Sequence, residues 1–370
     1  MNSGTLAPPK KNMKIIIDLG HPAHVHYFKN FIQAMQKKGH DFLITARNRG
    51  EIFDLLRSYN LNYFDRGTGS DTQFGKILYL PKADYLLYRL SKKFKPDLFL
   101  SFGSIYAAHA SKLYRKPHIA FDDTEHSKLE HILYVPFTDL ILTPSCFRKD
   151  FGQKHVRFNG YMELCYLHPT YFTPDPAILS LLGVRNGEKY IIMRFVSWGA
   201  SHDTRHTGLS LEMKRKAVKI LSNYAKVFIS AEGQLPEDLK QYQIRISPEW
   251  MHDALYYASL FFGESGTMTT EAALLGTPAV CVSTLSKLIG NHLELRDKYG
   301  LLFFYDSGNE GIEMALRLFK KDLKSEWKIR RERMLKDKIN VTAFIVSFIE
   351  NYPKSLRIMK EIPDYQWNSE

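Results

Sequence analysis

The chain predicts two doubly wound α/β domains that face each other across a ligand cleft. Three observations predict this. Short apolar runs without polar alternation recur between stretches of helical spacing, the pattern of parallel strands covered on both faces. That rhythm runs twice, broken once by Pro169, Pro174 and Pro176. At 370 residues the chain is too long for one typical core and suits two.

The first run opens after a polar leader, residues 1–12, expected to be disordered. Residues 14–18 (KIIID) are the first strand and end at a glycine-containing turn. Residues 27–38 have helical spacing, with Phe28, Phe31, Ile32 and Met35 on one side and Gly39 as the stop. Residues 42–46 are the next strand and 52–58 the next helix. Strands at 97–102, 118–121 and 140–143 continue the theme. The first domain is thus expected over 13–168, with 161–176 as the linker. The second, over 177–340, restarts with a strand at 190–194 and a helix at 210–223. Strands at 227–230, 260–263 and 279–282 follow. The last helices, within 341–370, are expected to cross back to the first domain.

Composition narrows the function classes. No apolar run approaches the ~18 residues of a membrane span, and the N-terminus has no apolar signal region. The scattered Cys146, Cys165 and Cys281 lack CxxC spacing, which fits a reducing cytoplasm and argues against a cysteine zinc site. The net charge of +12 suits a phosphate-bearing partner: nucleic acid, anionic lipid or a phosphorylated small molecule. Much of the charge lies in residues 320–338, either a solvated helix face or a membrane- or phosphate-facing patch. No helix-turn-helix, zinc-finger or RNP signature supports nucleic acid.

Five segments carry the candidate chemistry. In residues 263–280 (GESGTMTTEAALLGTPAV) a strand ends and Ser265, Gly266 and Thr267 open a helix that Gly276 stops. Free N–H groups and the dipole at such a start suit a phosphate, and Glu271 can accept from ribose hydroxyls. The alternative is a capped helix of any α/β protein. In residues 18–28 (DLGHPAHVHYF), Gly20 permits a tight turn beside His21, His24 and His26. These histidines serve packing, metal binding or general-base chemistry, and no carboxylate stands at metal-ligand spacing. In residues 194–205 (RFVSWGASHDTR), Arg194 can fork onto a diphosphate, with Ser197, His202 and backbone amides near Gly199 beside it. In residues 121–127 (FDDTEHS), Asp122, Asp123, Glu125 and His126 cluster at a strand end, as an acid/base group or as a helix cap. Residues 289–295 (IGNHLEL) add Asn291.

The segment SGTMTTEAALLGTP resembles the nucleotide-sugar segment of MurG-like GT-B glycosyltransferases and of UDP-N-acetylglucosamine 2-epimerases. The whole chain, from KIIIDLGHPAHVHYF onward, is similar to the DUF354 family, a group of the same expected fold. The resemblance implies a GT-B fold of two Rossmann-like domains. It places the diphosphate on Ser265, Gly266 and Thr267, the ribose on Glu271 and the donor sugar on Asn291. His24, followed by Val25, matches the histidine of the MurG-type loop, although Pro22 and Ala23 replace glycines there. His202 resembles the histidine of the 2-epimerase loop. The implied activity is a metal-independent inverting glycosyltransferase using a UDP-sugar, such as a UDP-N-acetylhexosamine. The acceptor would be a cell-envelope or polysaccharide molecule, lipid-linked acceptors included. No metal or cofactor is implied, since Asp122-Asp123 is not a DxD motif; departing diphosphate would be held by Arg194, the helix start and the loop amides. The alternatives are a UDP-N-acetylglucosamine 2-epimerase, drawing on the acidic cluster and His202, and a non-catalytic nucleotide-sugar-binding protein. The expected location is the cytoplasm, with peripheral contact at an anionic membrane.

Overall fold

A computed structural model describes residues 12–69, 73–196, 208–321, 323–362 and 365. The expected leader, residues 1–12, lies almost wholly outside the described residues.

Seven parallel strands form the first sheet: β1 Lys14–Leu19, β2 Asp41–Ala46, β3 Tyr63–Asp65, β4 Leu98–Phe102, β5 His118–Phe121, β6 Leu140–Pro144 and β7 His155–Phe158. Five parallel strands form the second: β8 Tyr190–Phe195, β9 Lys226–Ala231, β10 Leu260–Gly263, β11 Ala279–Val282 and β12 Leu302–Tyr305. The helices of the first half are α1 Pro22–Lys37, α2 Ile52–Ser58, α3 Gln73–Phe94, α4 Ile105–Tyr114 and α5 Lys128–Tyr134. The short α6 Leu164–Leu167 and α7 Ala177–Leu181 lead into the second half. There follow α8 Leu211–Leu221, α9 Met251–Tyr257, α10 Gly266–Leu275, α11 Gly290–Asp297, α12 Gly308–Phe319 and α13 Lys324–Asp337, then α14 Val341–Glu350 and α15 Lys354–Glu361.

The strand order is β3-β2-β1-β4-β5-β6-β7 in one sheet and β12-β11-β10-β8-β9 in the other. Each order reverses once, between β1 and β4 and between β8 and β10. Open parallel sheets bind ligands in the crevice outside the carboxyl ends of the strands at such reversals. The residues there are Gly20 and His21 after β1, and Arg194 and Gly263 at the ends of β8 and β10. Gly263 pairs with Arg194, and a Cβ on it would lie 2.4 Å from the Arg194 carbonyl oxygen, so only glycine fits this strand end.

The strands expected from apolar runs form because both faces are covered: Ile15, Ile16 and Ile17 of β1 are all fully buried. Four elements gave weaker sequence signals. β3 has only three residues and an exposed face, β7 alternates His/Val/Arg/Phe, β12 is half-buried, and α3 carries Pro81 inside it. α1 begins at Pro22 rather than at residue 27. Proline suits the first helical position, and the His21 side chain caps the helix by accepting from the Ala23 amide. The expected linker is also revised: Tyr161 to Leu167 are buried, with α6 packed against α1, α10 and α14. α14 lies against α1, and Lys38 pairs with Glu350 at 2.7 Å.

Candidate functional site

Between the carboxyl edges of the two sheets lies a cavity of about 700 Å³, in the range of small-molecule sites. On its second-half wall is the start of α10. Ser265 is the N-cap, its hydroxyl accepting from the Met268 amide, and Gly276 closes the helix in the left-handed conformation at φ 85°. By helix geometry the Gly266 and Thr267 amides have no intrahelical acceptor. Ser265, Gly266 and Thr267 all line the cavity. The sequence placed this element residue by residue because the cap serine and stop glycine punctuate it at both ends.

Glu271 lines the cavity too, but not as a free carboxylate. One oxygen, Oε1, accepts from the Tyr166 hydroxyl at 2.5 Å and pairs with His252 Nε2 at 3.1 Å. His252 stands edge-on to His26 at 4.6 Å between ring centres, and His26 stacks on Tyr166. The residue expected to hold the ribose therefore also joins the two halves. His26 belongs to this buried ring cluster.

Arg194 lines the cavity at the end of β8, next to β9. Its Nη1 donates to Ser230 Oγ at 2.6 Å and its Nη2 to Glu232 at 3.2 Å, so the fork expected for a diphosphate is turned to the neighbouring strand. Ser197, Gly199 and His202 lie outside the described residues. The ends of that segment are tied to one carboxylate: Glu264 accepts from the amides of Val196 and Leu209 and pairs with buried Lys214.

The first-half wall is made by α1, the end of β5 and the stretch before α6. His21 lines the cavity and His24 does not. His24 Nδ1 accepts from the Gly20 amide at 3.2 Å, and its ring packs on Phe102. His21 Nδ1 accepts from the Ala23 amide at 3.2 Å. An imidazole whose Nδ1 accepts a backbone N–H carries its proton on Nε2. With Nδ1 of each ring engaged by a backbone amide, neither His24 nor His21, the histidines expected to serve as the base, has a free lone pair in this arrangement. Burial also lowers both: His21 to about 4, with Arg49 and Arg194 adding to the effect, and His24 well below its ordinary value, with His21 adding. Burial thus favours the neutral form of both, and His21 is the one that lines the cleft.

The acidic cluster divides. Asp122 holds the local fold, accepting from the Thr124 amide, His131 Nε2 and the Tyr134 hydroxyl. Glu125 is expected to act as acid or base, yet it does not line the cavity. Its Oε1 accepts the Gly290 amide at 2.8 Å and the Arg148 amide at 3.3 Å, tying the halves together. Asp123 alone of the three carboxylates lines the cavity. Burial, then the charges of Asp122 and Glu125, push it up to about 8.

Sequence reasoning missed Glu163. It is buried, lines the cavity just before α6, and is raised well above the carboxylate range by burial and then by Asp123. Its Oε2 has no hydrogen-bond partner. The available signal was one acid inside the apolar run YMELCYL. Tyr27, from α1, joins this wall. On the opposite side Asn291 is buried with its oxygen taken by the Cys146 thiol at 3.0 Å. Neighbouring His292 was also missed; its Nε2 meets the Gly266 carbonyl at 3.1 Å, and burial lowers it to about 4.

Solved structures with this architecture include a UDP-GlcNAc 2-epimerase of Methanocaldococcus jannaschii in complex with UDP-GlcNAc and UDP. It matches with a TM-score of 0.61 at 15% identity, over 84% of this chain and 94% of that one. The UDP-GlcNAc 2-epimerase of Neisseria meningitidis bound to UDP-GlcNAc matches at 0.59 and 13%, over 93% and 100%. The spinosyn forosaminyltransferase SpnP matches at 0.62 and 14%, over 92% and 99%. Likeness at this identity shows the fold, which is of the GT-B type. In sequence, an uncharacterized protein of Methanocaldococcus jannaschii is 27% identical over 280 residues, covering 73% of this chain and 81% of its own length. Residues 13–352 match the family model described as protein of unknown function DUF354, and the chain belongs to that family.

Proposed function

We propose that the cleft binds a nucleoside-diphosphate sugar, a UDP-sugar first among them, and that the protein transfers the sugar to an acceptor with inversion. The diphosphate would meet the free amides at the start of α10, the ribose would face Glu271, and the sugar would lie toward the first-half wall. The observation that carries the reading is that two carboxyls, Asp123 and Glu163, line the same cavity and are both raised, Asp123 by burial and then by Asp122 and Glu125, Glu163 by burial and then by Asp123. A carboxyl held near neutrality is a stronger base once ionised, and general-base catalysis works best near the working pH. Ionised, it takes the proton of the acceptor hydroxyl as that oxygen bonds to the anomeric carbon. The C1–O bond electrons leave with the diphosphate, where helix amides and the His21 Nε2–H oppose the developing charge.

A second reading is 2-epimerisation, and the same pair favours it. One carboxyl takes the proton at C2 while the C1–O bond electrons leave with the diphosphate; a protonated partner then delivers a proton to the other face of C2 as the diphosphate oxygen re-forms its bond to C1. UDP-GlcNAc in D₂O, with and without membrane lipid extract, separates the two. UDP release only with extract supports transfer. Deuterium at C2 without any acceptor supports epimerisation. Absence of UDP or UDP-sugar binding by calorimetry, with the protein folded, rejects both.

A further inference from the structure

Large apolar side chains left in solvent are concentrated on one layer of the first half. Leu78 and Tyr85 of α3, Leu113 of α4, and Leu129, Ile132 and Phe137 in and after α5 are between 40 and 68% exposed. Of the exposed large hydrophobics in the described residues before 160, only Phe64 lies elsewhere. The three helices are one layer. α4 packs between α3 and α5, and His109 at its centre meets Asp84 of α3 at 2.8 Å and the Leu133 carbonyl of α5 at 3.1 Å. Its ring also stands edge-on to Phe137 at 4.5 Å.

Basic residues are interleaved with these apolar ones. Along α3, Leu78, Lys82, Tyr85, Arg89 and Lys92 recur at three- and four-residue steps, one stripe of the helix, and all are exposed. Arg115 after α4 and Lys128 at the start of α5 add to it. The acids are few: Asp84 is engaged by His109, Asp139 is paired with Lys112, and Glu130 is the one exposed carboxylate on the described residues of these helices. Contiguous exposed apolar surface on a folded domain marks an interaction site.

We propose that the outer face of α3, α4 and α5 docks on an anionic lipid surface, with its leucines, isoleucine and aromatics at the headgroup–acyl boundary and its lysines and arginines among the phosphates. Such a layer seats apolar tips shallowly while basic side chains reach outward to headgroups. A second copy of the same face would set like charges against like. No helix among the described residues is long and apolar enough to cross a membrane, so contact is from the surface. α5 starts directly after the loop carrying Asp123 and His126, both of which line the cavity. Docking by this face therefore brings the rim of the cleft to the lipid. The surface differs from residues 320–338, where α13 buries Trp327 and Met334 against the second half.

The test is flotation of the full chain with vesicles of phosphatidylcholine alone or mixed with phosphatidylglycerol. Binding is expected only to the anionic vesicles and to weaken with salt. A charge near an anionic surface is worth about fivefold in binding, so the triple variant Lys82→Gln, Arg89→Gln, Lys92→Gln should lose at least tenfold. Leu129→Glu with Ile132→Glu should lose a similar factor while the thermal midpoint stays unchanged, since both positions are exposed. The proposal is overturned if the wild type ignores anionic vesicles, or if both variants float as it does. It is equally overturned if light scattering shows a dimer that the Leu129/Ile132 variant dissolves while vesicles go unbound. UDP binding, measured on the same samples, tests the cleft separately.

Discussion

Asp123→Asn should reverse a pH-dependent loss of stability. Folded Asp123 is raised from 3.8 to about 8 by burial and by the charges of Asp122 and Glu125. Between those values the folded chain holds a proton that the unfolded chain has released. The unfolded state then binds fewer protons, and stability falls as pH rises; the contribution is fully retained only below about pH 4. For one group the slope is at most ~1.4 kcal/mol per pH unit. Asp123 keeps some contact with solvent. Halving the slope for screening leaves roughly 1.4 kcal/mol between about pH 5.5 and 7.5. Asparagine carries no such proton. The stability difference between variant and wild type, from urea unfolding at several pH values, should therefore move in the variant's favour by that amount across the window. A difference that stays flat would refute the account of a proton held on Asp123 by its neighbours.

The remaining tests address the site and the joint between halves. If an Asp123/Glu163 carboxyl is the base, kcat/KM for the nucleotide-sugar reaction should rise with pH up to about 8 and level off above; a profile that falls across this range would exclude it. His21→Asn keeps an N–H near the cleft, so it should retain more turnover than His21→Ala, by about tenfold, with the same pH profile, and His24→Ala should leave that profile unmoved. Gly290→Ala should lower stability by about 2 kcal/mol, read by thermal denaturation, because its Cβ would lie 2.0 Å from the Cys146 carbonyl oxygen.

How much was legible depends on where the controlling force acts. The fold showed because strands buried on both faces must be apolar throughout, and because Ser265 and Gly276 mark their helix by local chemistry. The start of α1 was obscured since HPAHVH reads as a polar turn, although proline and a capping side chain begin helices. Within the site, identities were easier to read than states. His21 and His24 stand out in the sequence, but the nitrogen that carries the proton depends on backbone amides that only the fold brings into reach. Asp123 and Glu125 are two residues apart and equally acidic on paper; one faces the cavity and the other the Gly290 amide. Glu163 looked like a linker residue because the rest of the cavity wall it joins comes from α1 and the end of β5, far away in the sequence.

The ties between the halves constrain how the site can work. Glu125 holds the Gly290 amide, Tyr166 holds Glu271, and Tyr161 donates to Glu294, whose carboxylate is also paired with buried Lys338 of its own half. Each tie uses residues next to the cavity wall or one step behind it. Tyr161, Glu163 and Tyr166 come from a single buried stretch, so the segment that presents a candidate acid also locks the second half at two points. Ribose hydroxyls approaching Glu271 meet a carboxylate with Oε1 already bonded to Tyr166 and His252. They must use its other oxygen or displace that hydroxyl. In the first case the nucleotide binds a preformed cleft with the carboxyl pair already placed; in the second, binding is felt at α6 and hence at Glu163. On the proposed reading the two cases separate experimentally: Tyr166→Phe should alter affinity alone in the first, and turnover as well as affinity in the second.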